Sequence, residues 1–405
     1  MSVLATALLI CSSRLSEIRL VLAQANRPFL LLIGLATAST LWSANTSSTL
    51  GHLFRLTLFN LVALTLCVNH WNPQRLQQTL RPFLFGFLIA STIFLLMKPD
   101  LANPSVELAG VLGWRGLALH KNVMGALAAL SLLVWMHALL TKEKSAVIAI
   151  PAVLLSFVWL AGSKSSTSML NGVFSCAILI LILKPPSRQF RRVTPLIVGG
   201  LAVCIALYAL AVLNVLPGSN VLLAPIATIT GKDMTFTGRA AIWEIIREEI
   251  THHPWLGIGY GGYWTGATPS SPSYVMVQKL YFYPSEAHNG FLEIINELGY
   301  VGCLLLISFL YVYGRQAVSL LRTDKSTAAL HLTLLFQALL GNLSEAHFMQ
   351  IGGLIGWLVM TGATFNLARY RIHETEMRKA YYRREPDILE TEPVITLTAP
   401  RRPFA

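Results

Sequence analysis

The feature that most constrains this chain is a succession of apolar runs, each close to the length needed to cross a lipid bilayer. A spanning helix takes about 20 predominantly apolar residues, with about 17 as the lower limit. Runs of this kind fall near residues 28–43, 53–69, 82–97, 117–140, 146–162, 167–183, 194–214, 291–313, 327–343 and 348–367. Inside hydrocarbon the backbone must satisfy its own polar groups, and separate apolar segments do so as helices. The expected fold is therefore an all-α polytopic membrane protein with about 10–11 transmembrane helices. The eleventh would come from the opening MSVLATALLIC, which is too short to span and is followed at once by Arg14, Glu17 and Arg19. That stretch reads as a truncated helix or an interfacial segment. A cleaved signal is disfavoured, because no basic residue precedes the apolar run and no small-x-small site follows it.

Composition agrees. Hydrophobic residues make up 54% of the 405 and charged ones only 12%, too little polar surface to coat a water-soluble globule. Disorder is excluded by the same figures. The formal net charge of +12 is no sign of nucleic-acid binding, since long apolar runs separate the basic residues. The five cysteines lie in or beside apolar runs without CxxC or metal-ligand spacing and read as buried thiols.

Orientation follows from Lys and Arg in the connections. Alternate connections and the tail hold 22 of the 31, including Arg75, Arg81, Lys142 and Lys184, and the other nine fall on the opposite side. With nine of the 19 acids on the first side, that side carries +13 and the other −1. The basic side is expected in the cytoplasm together with both termini. The chain then divides into an N-terminal cytoplasmic or interfacial segment (1–27), seven spans (28–214), a large outer loop (215–290), three spans (291–368) and a basic tail (369–405) with little fold of its own. Within the loop, Thr237 is a fair N-cap, Ile242, Ile245, Ile246 and Ile250 recur at helical spacing, and Pro254 closes the element. This short amphipathic helix is expected on the membrane surface.

The outward basic residues are informative because the orientation bias does not favour them there. Arg115, His120, Lys121 and Asn122 lie in WRGLALHKN, Lys164 and Ser165 in GSKSSTS, Arg239 in TGRAAIW, and Glu286, His288 and Asn289 in EAHNG. A lone cation of this kind is by default an interfacial anchor. Several on one face favour a shared anionic ligand, and transfer from a lipid diphosphate fits. A leaving diphosphate can be stabilised by a divalent metal or by fixed cations. The outward face has no DxD or ExD pair, so no metal and no cofactor is expected, and Arg suits phosphate through its bidentate fork. His288 is a candidate base for an attacking sugar hydroxyl; the bland alternative is that His288, or Asn289, caps the helix beginning at Gly290. SEAH occurs twice, at 285–288 and 344–347, which reads as coincidence, although Glu345 and His347 would face the same side. Gly257, Gly259 and Gly262 match GxGxxG only formally, and a flexible hinge or substrate-facing loop is expected there.

The pairing TGRAAIWEIIREEITHHPWLGIGYGGYW and EAHNGFLEIINELGYVG, with weaker echoes in LWSANTSSTL, RGLALHKNVMG and GSKSSTSML, resembles the bacterial O-antigen ligase and polymerase superfamily, closest to its exopolysaccharide polymerase branch. The resemblance implies a metal-independent, inverting glycosyltransferase at the periplasmic face of the inner membrane, with an undecaprenyl-diphosphate-linked oligosaccharide as donor and a glycan as acceptor. A chain-length regulator is a further partner of such a polymerase. By motif, His288 would assist deprotonation of the acceptor hydroxyl and Arg239 would bind the diphosphate. Lys164 stands where many members have an Arg, which replaces a fork by a point charge. A ligase acting on lipid A core shares the donor site. A flippase or transporter fits less well, since the spans are nearly free of charge in their middles and no internal repeat is visible.

Overall fold

The computed structural model describes residues 2–68, 71–103, 113–185, 239–350 and 353–391, with positions 187, 192, 193, 196 and 200 between the third and fourth blocks. The expected span over 194–214, except its isolated positions 196 and 200, and the cap at Thr237 lie outside the described residues. Among the described residues every regular element is helical: α1 (Ser2–Ser13), α2 (Leu15–Gln24), α3 (Arg27–Ala38), α4 (Thr46–Val68), α5 (Arg75–Met97), α6 (Pro99–Ala102), α7 (Lys121–Thr141), α8 (Ala146–Gly162), α9 (Ser166–Leu183), α10 (Arg239–His252), α11 (Tyr274–Leu280), α12 (Gly290–Ser319), α13 (Lys325–Gly341) and α14 (Leu354–Thr391).

Five of these are long and apolar enough to cross a membrane, namely α4, α5, α7, α9 and α12 with its 3-10 extension to Arg322. A sixth arises if α2 and α3, bent by 105° at their junction, count as one broken span. Asn26 sits at that bend, buried, where its Oδ1 accepts from Phe29 N and its Nδ2 donates to the Phe309 carbonyl. The sequence-based count is larger because it includes α8 and α13, each 17 residues long, and the runs over 194–214 and 348–367, the last of which opens α14.

Helix α7 is apolar on all sides and mostly buried, as befits the centre of a bundle. It packs against α5, α8 and α9, while α4 lies on α14 and α3 on α12. Two of the boundaries that depart from the sequence reading change the packing. Helix α5 starts at Arg75, seven residues ahead of Pro82, and Arg81 is fully buried inside it. Its guanidinium donates to Glu143 at 2.7 Å, to the Val134 carbonyl at 3.0 Å and toward His137 Nδ1 at 3.1 Å, so it ties α5 to α7 and is no exposed loop charge. The tail does not lose its fold at Arg369: α14 runs on to Thr391, and Arg369 and Tyr370 bond Glu17 and Asp324.

The outer-loop helix is corrected too. In α10 the stripe Ile242, Trp243, Ile245, Ile246 and Ile250 is buried in a cluster with Ile258, Tyr263, Met276, Ala287 and Leu292. Its apolar face therefore meets protein and not the lipid surface. The glycine loop is likewise no hinge. Gly257 and Gly299 both have φ near +67°, and a Cβ on either would come within 2.4 Å of backbone, Glu297 in one case and Trp255 in the other. The loop docks on the break in α12 through Ile258 N to Asn296 O, Gly259 N to Glu297 O and Tyr300 N to Pro254 O. Only glycines permit that approach.

Candidate functional site

Where α7, α10 and α12 begin and α13 ends, four chain segments meet around one carboxylate, Glu345. Its Oε1 accepts from Arg239 Nη2 at 2.7 Å and from Asn122 Nδ2 at 2.6 Å, and its Oε2 lies 3.1 Å from His288 Nδ1. The same His288 nitrogen is 3.0 Å from Glu286 Oε1. The two SEAH copies are therefore joined in space: the first supplies Glu286 and His288, the second Glu345.

Local chemistry explains how each side chain arrives. Asn289 is the cap of α12, its Oδ1 accepting from Phe291 N and Leu292 N, which leaves the His288 ring free of that duty. His288 itself adopts a left-handed backbone (φ 51°), turning its ring out toward the two carboxylates. The preceding peptide is gripped from both sides: Ala287 N donates to Glu293 Oε2 at 2.7 Å and its carbonyl accepts from Trp243 Nε1 at 2.8 Å. Glu293 is fully buried and also accepts from Trp264 Nε1. On the facing turn, Asn342 Oδ1 accepts from His347 N and Phe348 N, and its carbonyl from Gly290 N, folding the segment that carries Glu345 onto the start of α12. His120 caps α7 by accepting from Asn122 N, and so presents Asn122 to Glu345.

The electrostatics are those of a compact charge cluster. Burial disfavours a charged Glu345, but the hydrogen bond from His288 and the charges of Arg239 and His288 outweigh it and hold the carboxyl at about 2. Burial likewise opposes charge on His288, yet Glu286 and Glu345 raise it to about 9. His288 therefore rests as an imidazolium at neutral pH. His120 and His347 are both lowered by burial, against an upward pull from Glu345, and rest neutral.

The ligand atoms of Glu286, His288 and Glu345 lie within 4.8 Å of one another, a spacing that would suit a divalent cation. Such an ion would compete with Arg239 and with the His288 proton, both of which already neutralise Glu345.

The other expected residues are spread around this core. Lys121 follows His120 at the start of α7, and its side chain lies beside Gly113 and Ser163. Lys164 is exposed in the turn between α8 and α9 with φ 50°, Ser165 is buried against Ser168, and Arg115 donates to the Leu101 carbonyl. Among the described residues no hydrogen bond or ion pair links Lys164 or Arg115 to Glu345. His347 lines an apolar cavity of about 370 Å³ that extends between α7, α13 and α14 past Leu127, Leu334, Phe348 and Trp357. Sequence reasoning placed Glu345 on the right side but gave it no role, and it passed over Glu293 and Glu297. The signal was present for Glu293 and Glu297, because carboxylates four residues apart in an apolar helix are functional by default.

Comparison with known proteins bears on the same region. The O-antigen ligase family model matches residues 151–307, which holds Lys164, Arg239 and the whole Glu286–Asn289 turn. The chain is also 29% identical over 182 residues to the exopolysaccharide production protein ExoQ of Rhizobium meliloti (strain 1021). That alignment covers 42% of this chain and 39% of the relative, so the chain spans about two fifths of the protein it matches. Both findings support the resemblance to the O-antigen ligase and polymerase superfamily near the ExoQ branch.

Proposed function

We propose that this multi-pass membrane protein is a metal-independent glycosyltransferase that joins undecaprenyl-diphosphate-linked oligosaccharide repeat units into an exopolysaccharide. The observation that carries the reading is the convergence of Arg239, His288, Glu286 and Glu345 beside an apolar cavity at one end of the bundle. The cations answer the diphosphate and the cavity answers a polyprenyl chain. In this reading the site opens to the periplasm from the inner membrane, and both termini lie in the cytoplasm.

We assign His288 a different role from the one its motif implies. As an imidazolium it is a poor proton acceptor, so we place it beside Arg239 as a second cation for the developing charge on the leaving diphosphate. Glu286, bonded to His288 on one oxygen, takes the proton from the attacking hydroxyl. The new glycosidic C–O bond forms as the anomeric carbon's bond to the diphosphate oxygen breaks, and the electron pair leaves with the diphosphate. We assign Arg115, Lys121 and Lys164 to the approach as further cations for the anionic donor.

Purified protein in liposomes should lengthen undecaprenyl-linked repeats with no lipid A core present, and His288→Ala should abolish this while leaving membrane insertion intact. Transfer to lipid A core alone would make the protein a ligase. Wild-type polymer from His288→Ala would remove His288 from the reaction.

A further inference from the structure

A second recess of about 620 Å³ opens beside the charge cluster, and its lining differs from that of the apolar cavity. One wall is the start of α4, with Asn45, Ser47 and Arg55; the other is loop, with Trp264, Tyr283 and Ser285. Trp264 directs its indole N–H inward to Glu293, so only its ring remains to meet a ligand. Tyr283 stands nearly perpendicular to it, with centroids 6.2 Å apart at 78°, and its hydroxyl is fixed by Gly266 N and Ser273. The two rings form a rigid aromatic corner that ligand binding need not order.

The facing wall offers donors. Asn45 Oδ1 is committed to Ser48 N, which leaves its amide nitrogen for a ligand, and Ser47 is exposed on the first turn of α4. Arg55 uses only Nε, toward the Gly51 carbonyl, so the outer guanidinium nitrogens stay available. Among the described residues the lining contains no carboxylate. Aromatic faces opposed by amide, hydroxyl and one guanidinium match a sugar chain with an acidic substituent: the C–H face of a pyranose packs on an indole, hydroxyls pair with the polar wall, and a carboxylate takes the Arg fork.

The recess leads into the reaction site. Ser285 lines it and begins the turn that ends at His288, and the Trp264 indole shares the Glu293 carboxylate with Ala287. We propose that this cleft holds the acceptor glycan, with an acidic sugar substituent on Arg55 and the terminal sugar delivered to Glu286 and His288. The assignment rests on the glycosyltransferase reading but is tested by binding, which needs no turnover.

The probe is a fluorescently labelled oligosaccharide of one to three repeat units, cut from the exopolysaccharide of the strain that carries the protein, and its carboxyl-reduced counterpart, titrated into protein in nanodiscs. The acidic probe should bind wild type in the absence of any donor. Ser47→Trp, which fills the cleft, should weaken binding by about tenfold or more, a loss of about 1.4 kcal/mol. Arg55→Gln should erase the preference for the acidic over the reduced probe. Binding unchanged in both cleft variants, or absent from wild type, overturns the cleft assignment. An Arg55 that merely anchors to lipid headgroups leaves the preference intact. Failure of the polymerase reading shows separately, as wild-type protein in liposomes that passes glycan to lipid A core alone.

Discussion

Glu345→Gln preserves the shape of the side chain at the centre of the cluster and removes its charge. His288 stands at about 9 against an ordinary 6.5. At about 1.4 kcal/mol per pH unit, that gap is worth about 3 kcal/mol, net of the burial that opposes it. The two carboxylates that supply it lie at nearly equal distance from Nδ1, 3.0 Å for Glu286 and 3.1 Å for Glu345. Losing one removes at least half, about 1.5 kcal/mol, and returns His288 to about 8 or below. If His288 works as a cation, polymer formation in proteoliposomes holds level through neutral pH in the wild type and falls with a midpoint near 9. In the variant, whatever its absolute rate, the falling limb moves down by about one pH unit or more. The same linkage governs stability. A raised histidine contributes in full below 6.5 and loses its contribution as pH rises through about 9, so the turn carrying His288 loosens on the alkaline side. A wild-type rate that climbs through pH 9 would refute the cation role and restore His288 as the base. An alkaline limb unmoved in Glu345→Gln would refute the pairing itself.

Three further outcomes are expected. Arg239→Lys should lose most polymer formation, by about tenfold or more, because a point charge replaces the fork that reaches Glu345 at 2.7 Å; full activity would argue against bidentate diphosphate binding. Chelation by EDTA should leave the rate unchanged, and a loss restored by magnesium or manganese would convert Glu286, His288 and Glu345 into a metal site. Glu293→Ala should lower thermal stability by about 2 kcal/mol or more, since it strands the buried N–H of Ala287 and the half-buried indole N–H of Trp264, and should depress kcat by releasing the His288 turn. Unaltered melting and turnover in that variant would make the Glu293 contacts incidental.

The all-helical, membrane-crossing class was legible from the apolar runs alone, because hydrocarbon leaves a separate apolar segment no other way to satisfy its backbone. Span positions came out within about four residues for α7, α8, α9 and α13, since hydrophobic length is a property of the chain itself, while α4 begins seven residues before and α12 ends six residues after the expected run. Where Arg81 points was not legible, because a basic residue near a helix end reads as interfacial unless its partner is known, and Glu143 lies 62 residues away. Nor was the burial of the Ile stripe of α10, which carries the same periodicity whether its cover is lipid or Met276 and Leu292. The residues of the site show the same division. Arg239, Asn122, Glu286 and His288 stood out by type and local wording, but the group that gathers them, Glu345, lies 106 residues from Arg239 and 223 from Asn122. Local sequence determines which side chains have chemistry to offer. Which of them share a carboxylate, and hence whether His288 holds a proton or seeks one, was decided only by the packing of four helix ends, because a charge reveals its partner through distance and not through sequence.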